Sequence, residues 1–152
     1  MSRSPVVVDS GVAIHRVLLT TATPMATALW DSWSRDATQV CAPGLWSYEV
    51  TSVVHKYLFD GLLTAGEAEE VLGVLFDLGV SLVEEDESLC VSAFRWATRL
   101  NHKPAYDAFY LALAERLGAE LWTADRRLWR NATGVGVTWA HFMGAEEKGS
   151  AV

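Results

Sequence analysis

The chain has 152 residues, of which 51% are apolar, and a formal net charge of −7. Its length and apolar content are sufficient for one domain with a full hydrophobic core, and they exclude a disordered chain. The acidic balance excludes a uniformly basic nucleic-acid binder, although residues 91–130 form a locally basic segment with seven basic and four acidic side chains.

Strand-like runs alternate with helix-like segments along the sequence. Short β-branched or apolar runs indicate strands, and apolar residues at helical spacing indicate helices. In chain order, the pattern predicts a strand at 5–9, helices at 11–19 and 22–33, a strand at 38–42, helices at 45–59 and 65–77, a strand at 80–83, helices at 87–100 and 104–117, a strand at 120–123, a helical turn at 125–129 and a strand at 136–139.

This alternation predicts an α/β fold, a three-layer α/β/α sandwich around a mostly parallel sheet of about five strands. Residues 1–143 are expected to form a single domain, and the polar residues 144–152 a flexible C-terminal tail. In such folds, ligands bind beyond the carboxyl ends of the strands. A functional site is therefore expected at that edge of the sheet.

Two acidic residues directly follow predicted strands. Asp9 ends the first strand, and Asp125 stands just after the fourth, beyond Thr123. Each Asp suits a helix N-cap, and for either residue alone that structural role is a sufficient explanation. The Thr123 hydroxyl is placed either to cap as well or to bind a carboxylate, water or metal ligand.

Two further acids lie in predicted helices. Glu49 falls within the apolar stripe of its helix, where a lone buried carboxylate would need a partner charge or a metal. Asp107 lies in the first turn of a helix that is apolar nearly all round. Both positions also suit the positive end of a helix dipole. Four acids gathered at one sheet edge would repel each other, and an oxygen-preferring divalent ion such as Mg²⁺ or Mn²⁺ resolves that repulsion.

Four segments carry a resemblance to a known family. They are VVVDSGVAI at 6–14, PGLWSYEV at 43–50, GLLTAGEA at 61–68 and PAYDAFYLALAERLGAELWTADRRL at 104–128. Together they resemble the PIN-domain family, and more narrowly the VapC-type toxin ribonucleases of toxin–antitoxin pairs. The likeness runs from about residue 5 to 140.

The resemblance implies a Mg²⁺- or Mn²⁺-dependent endoribonuclease with an acidic quartet at Asp9, Glu49, Asp107 and Asp125. It implies supporting hydroxyls at Ser10 and Thr123. Many relatives carry Lys where this chain has His15, which affects a substrate contact and no metal ligand. The resemblance further implies a homodimer and a cognate antitoxin as partners.

Basic residues beside the acids are candidates for binding RNA phosphates. They are Lys103, Arg126, Arg127 and Arg130. A solvated surface explains them about as well. A bound cation would also cancel much of the local negative charge, so that a substrate phosphate meets the metal first.

Cys41 and Cys90 are too few for a disulfide framework, and apolar neighbours predict that both are buried thiols. No apolar stretch reaches membrane-spanning length, and the run after Arg3 does not match a signal peptide. A cytoplasmic protein is therefore expected.

Three other functions remain open at this stage. One is a phosphatase with an Asp nucleophile after the first strand, which is disfavoured because Gly11 stands where a second Asp is wanted. The second is a catalytically inactive PIN-like domain that binds protein. The third is a PIN nuclease without an antitoxin.

Overall fold

The computed structural model describes residues 3–144 and contains five strands and seven helices within that range. The strands are β1 (Val6–Val8), β2 (Val40–Pro43), β3 (Ser81–Val83), β4 (Glu120–Thr123) and β5 (Ala140–Phe142). The helices are α1 (Ser10–Val17), α2 (Thr23–Arg35), α3 (Leu45–Phe59), α4 (Ala65–Asp77), α5 (Glu87–Leu100), α6 (Ala108–Leu117) and α7 (Arg126–Gly134). No helix in this range is long and apolar enough to cross a membrane.

All five strands are parallel and lie in the order β3-β2-β1-β4-β5. β1 occupies the centre, where Val6 is opposite Val40 of β2 and Glu120 of β4. Its three valines are buried on both faces, as expected of a strand covered by helices on each side. This arrangement confirms the predicted three-layer sandwich.

Helices cover both faces of the sheet. α6 packs on β1, β2 and β4 and is itself covered by α5, while α1 packs with α2, α3 and α4. α6 carries six buried residues, including Tyr110 and Leu111, which explains its apolar sequence. Because the strands are parallel, all their carboxyl ends meet at one edge, and α1, α3 and α7 begin there.

Several predicted elements are confirmed with their bounds, namely α3, α4, α5 and β4. The Thr64 side chain caps α4 in a complete capping box with Glu67. Two helix predictions were wrong at one end. α6 begins at Ala108 and not at Pro104, because residues 105–110 first form a tight turn of i→i+3 hydrogen bonds. α7 extends to Gly134, five residues beyond the predicted turn.

The last strand was predicted four residues too early. Gly136 has a φ of +92° and ends the turn after α7, so pairing with β4 starts only at Ala140, opposite Leu121. Cys41 is buried as predicted, but the prediction was wrong for Cys90, which is exposed on α5. The predicted tail at 144–152 lies outside the described residues, apart from Gly144.

Candidate active site

One pocket lies at the carboxyl edge of the sheet, and all four acids predicted from the sequence line it. Its wall consists of Asp9, Ser10, Gly11, His15, Glu49, Asp107, Tyr110, Ala124, Asp125 and Leu128. Its volume is about 230 Å³. The acids come from four segments that are distant in sequence, and the parallel topology brings them together.

Asp9 is the most deeply buried of these acids, with 7% of its surface exposed. Its Oδ1 accepts a hydrogen bond from Val12 N at 3.1 Å and caps α1. Its Oδ2 accepts one from the Thr123 hydroxyl and another from Ala124 N at 3.1 Å. The expected capping role is therefore present, and the same carboxylate also faces the pocket.

Thr123 links two of the acids, which gives its predicted supporting role a physical basis. Its hydroxyl is fully buried, donates to Asp9 and accepts from the backbone N–H of Asp125 at 2.9 Å. Asp125 in turn caps α7 by accepting from Leu128 N at 3.1 Å. The turn between β4 and α7 is thereby held against the end of β1.

Gly11 allows α1 to approach this turn closely. A Cβ added at Gly11 would lie 2.7 Å from the Ala124 Cβ and 3.5 Å from Asp9 Oδ1. The first contact is shorter than any real Cβ contact, so a side chain here would push apart the segments that carry Asp9 and Asp125. The residue that argues against an Asp-nucleophile phosphatase thus has a structural function of its own.

Asp107 precedes α6 at the N-cap position, yet its side chain makes no hydrogen bond to that helix. It was predicted in the first helical turn and lies one position earlier, because the helix begins later than expected. Its carboxylate is not needed to cap the helix, unlike those of Asp9 and Asp125. The helix-cap explanation therefore does not account for Asp107.

Glu49 lies in the second turn of α3 and is half-buried. Its Oε1 accepts a hydrogen bond from the hydroxyl of Tyr110, a residue that is 1% exposed. Sequence reasoning placed Tyr110 among the apolar residues of α6 and missed this contact. The available signal was its spacing, since Tyr110 stands three residues after Asp107 and therefore on the same helix face.

Asp9, Glu49 and Asp107 have raised pKa values, mainly because they are buried. Burial, opposed by hydrogen bonds from Thr123, Val12 and Ala124, raises the pKa of Asp9 to about 6, and Asp125 adds to the rise. Burial also raises the pKa of Glu49 and Asp107, and neighbouring carboxylates raise both further. For Asp107, the nearby positive groups His102 and Arg127 act in the opposite direction. The pocket therefore favours a proton or a cation.

The remaining predicted residues differ in how directly they contact this pocket. Ser10 lines it directly, and Thr123 lies behind Asp9. Lys103 is exposed in the connection between α5 and α6, and Arg127 and Arg130 are exposed on α7. Arg126 lies with its guanidinium 5.2 Å from the Phe142 ring centre, so part of its role is packing. His15 lines the pocket, and its Nδ1 is 2.7 Å from the Thr20 hydroxyl.

We expect Tyr110→Phe to destabilise the folded protein at neutral pH by roughly 1.5–3 kcal/mol, because it leaves the half-buried carboxylate of Glu49 without its donor. The Tyr110 hydrogen bond lowers the pKa of Glu49, so its loss raises that pKa further. The destabilisation is therefore present at high pH and disappears as the pH falls and Glu49 is protonated. Urea unfolding across pH in a chelating buffer measures this effect.

Tyr48→Phe is the matched control, because Tyr48 lies on the same turn of α3 as Glu49 and is 75% exposed. It should leave stability unchanged at every pH. A loss of equal size in Tyr110→Phe at acidic and neutral pH would show that the hydroxyl does not act on the charged form of Glu49.

Comparison with known proteins gives a consistent assignment. The family model for the PIN domain matches residues 6–134. Ribonuclease VapC3 of Pyrobaculum aerophilum is 38% identical over 84 residues, which are 54% of this chain and 63% of the relative. The match thus spans less than two thirds of that relative's length.

Solved structures show the same fold at low sequence identity. PAE2754 from Pyrobaculum aerophilum has a TM-score of 0.68 at 20% identity, covering 91% of this chain and 83% of its own. A toxin–antitoxin complex from Klebsiella pneumoniae has a TM-score of 0.65 at 15% identity, covering 90% and 95%. VapC20 of Mycobacterium tuberculosis has a TM-score of 0.64 at 14% identity, covering 88% of this chain and 96% of its own. Since the family model matches most of the chain, this protein belongs to the PIN domain family.

Proposed function

We propose that this protein is a metal-dependent endoribonuclease that hydrolyses RNA phosphodiester bonds as the toxin of a type II toxin–antitoxin pair. The observation that carries the proposal is the convergence of Asp9, Glu49, Asp107 and Asp125 on one pocket in a member of the PIN domain family. A relative named as a ribonuclease supports the activity. The structural neighbour described as a toxin–antitoxin complex supports the biological setting.

The residues fit a hard divalent cation. The acids offer only oxygen atoms, and the pKa values of Asp9, Glu49 and Asp107 are raised mainly by burial and further by neighbouring carboxylates, whose charge a bound cation would offset. Within residues 3–144, no three acidic, His or Cys side chains are close enough to form a ready ligand cluster. Mg²⁺ still suits such a site, because it keeps several waters, so that one or two carboxylates can bind it directly and the other acids can contact it through those waters.

In the proposed mechanism, Asp9, the most buried of the four acids, would be the principal ligand of a Mg²⁺ or Mn²⁺ ion. Asp107 and Asp125 would complete the ligand set, directly or through waters that the ion keeps. A bound ion supplies charge stabilisation of the phosphoryl oxygens and an activated water. Thr123 fixes the orientation of Asp9, and Tyr110 fixes that of Glu49. Glu49 then has one carboxylate oxygen left to position the attacking water, or to bind the metal through a water.

Substrate binding is assigned to cations beside this pocket. Arg127 lies close enough to Asp107 to lower the pKa of that carboxyl group. Lys103 is exposed shortly before Asp107 in sequence, and Arg130 is exposed shortly after Asp125. Arg126 begins α7 directly after Asp125. These four residues bind RNA phosphates in this proposal, and Ser10 has a supporting role in the pocket. The protein partners are a cognate antitoxin and a second copy of the chain.

Incubation of the purified full chain with single-stranded RNA tests the activity. We expect cleavage in Mg²⁺ or Mn²⁺, none in EDTA, and recovery when the metal is restored. Sequencing of the new RNA ends identifies the bond that is cut. Metal binding without cleavage of any RNA would instead support an inactive domain that binds protein. Co-purification with a small DNA-binding protein encoded beside this chain tests whether the chain has an antitoxin partner.

A further inference from the structure

The positive charges of this acidic protein are concentrated in two segments. Residues 88–106 and 126–144 contain no Asp or Glu, although the chain has 19 acidic residues in all. The same two segments carry half of the 12 Lys and Arg residues, namely Arg95, Arg99, Lys103, Arg126, Arg127 and Arg130. We call these six residues the basic strip.

The two segments contact each other in the fold. At the end of α5, Arg99 Nη2 donates to the carbonyl oxygen of Val135 at 2.7 Å, just beyond α7. The His102 ring nitrogen lies 2.7 Å from Asn131 Nδ2, one turn earlier on α7. The C-terminal end of α5 therefore lies against the second half of α7, and Arg99 is brought next to the end of the helix that carries Arg127 and Arg130.

One end of the basic strip lies at the acidic pocket. α7 starts immediately after Asp125, and the charges of Arg127 and His102 act on Asp107. From Arg127 the strip follows α7 to Val135, a rise of about 12 Å at 1.5 Å per residue. It then follows α5 from Arg99 to Arg95, about 6 Å further along that helix.

The other end of the basic strip is a second pocket of about 220 Å³, lined by Ser92, Arg95, Trp96, Arg99 and Glu115. The Arg99 guanidinium lies 5.0 Å from the Trp96 ring centre, which holds its plane in place. Glu115 is the acid of this wall, and its Oε1 accepts a hydrogen bond from the Trp96 indole at 3.3 Å. Two guanidinium groups thus face one carboxylate, and Arg95 makes no ion pair within residues 3–144.

We propose that the basic strip binds the backbone of the single-stranded RNA beyond the cleaved bond, and that Arg95 and Arg99 hold a phosphate at its far end. The proposal rests on the ribonuclease function proposed above. The path of about 18 Å corresponds to roughly five stacked nucleotides at 3.4 Å each. Short RNA that fills only the acidic pocket cannot reach Arg95, whereas longer RNA can.

The test compares the affinity of a trinucleotide and a dodecamer of fluorescent single-stranded RNA. Proteins carry Asp9→Asn to prevent cleavage, with or without Arg95→Gln and Arg99→Gln. We expect the double substitution to weaken binding of the dodecamer at least tenfold, to leave the trinucleotide unchanged, and to reduce the slope of log affinity against log salt by about 1.4. Arg95→Gln alone should give about half of that change in slope and leaves the Arg99–Val135 hydrogen bond intact.

Arg35→Gln with Lys56→Gln is the matched control, because it removes the same charge from α2 and α3. It should change neither the dodecamer affinity nor the salt slope. Equal losses in the control and in the basic strip, or equal losses for both RNA lengths, would overturn the proposal. So would unchanged dodecamer binding, which would leave the strip for a protein partner. Failure of the unsubstituted protein to cleave RNA in Mg²⁺ would instead contradict the ribonuclease function itself.

Discussion

Asp9→Asn is expected to flatten the pH dependence of stability and to remove the stabilisation by Mg²⁺. In the metal-free protein, the pKa of Asp9 is raised from 3.8 to about 6, mainly by burial. The folded state therefore binds the proton more tightly than the unfolded chain. The resulting stability is fully present below about pH 4 and is lost as the pH rises through 6, a change of about 3 kcal/mol.

A divalent ion reverses this loss because it binds the folded, deprotonated site. Urea unfolding between pH 4 and 8 should give a free energy of unfolding that falls with rising pH in EDTA. In Mg²⁺, the free energy of unfolding should recover above pH 6. Asp60→Asn, on the exposed end of α3, is the matched control and should behave like the parent. Asp9→Asn with the parent's pH slope and the parent's response to Mg²⁺ would contradict the site assignment.

Asp107→Asn should slow RNA cleavage about a thousandfold without loss of stability. Its carboxylate does not cap α6, so the amide replaces it with no loss of a helix hydrogen bond. If Asp107 binds the metal, the substitution removes several kcal/mol of transition-state stabilisation, or about a thousandfold in rate. Kinetics of Mg²⁺-dependent cleavage and thermal unfolding, measured on the same preparation, check both halves of the expectation.

Asp31→Asn, at an exposed position of α2, controls for the change of charge and should retain full activity. Asp107→Asn that cleaves RNA at the parent's rate would remove Asp107 from the metal site. Loss of activity together with a large loss of stability would show instead that Asp107 has a structural role that its hydrogen bonds do not reveal.

Local patterns predicted most of the secondary structure. α3, α4, α5 and β4 have strong signals, such as the Thr64 capping box and the apolar period of each helix, and these signals depend only on neighbours in sequence. β5 was placed too early because residues 136–139 look like a strand in isolation. Its true position depends on pairing with Leu121 and on the positive φ of Gly136, and neither can be read locally.

The sequence likewise predicted some residues of the candidate site from local position and missed another. Asp9 and Asp125 follow strands, so the parallel topology alone predicts that they meet. The family resemblance indicated a functional role for Glu49 and Asp107 more strongly than their positions in the predicted helices did. Tyr110 was missed because a tyrosine on an apolar helix usually packs in the core, and only the folded chain shows its hydroxyl opposite Glu49, 61 residues away in sequence.

The central position of β1 determines when the pocket can form during synthesis. The first strand made must wait for β4 before its second edge is paired, and Thr123 reaches Asp9 across 114 residues. This long-range parallel pairing cannot form until β4 has been made. A ribosome that is still translating this protein therefore carries an unassembled acidic site, and whatever chemistry the four carboxylates perform begins only once nearly the whole domain has been made.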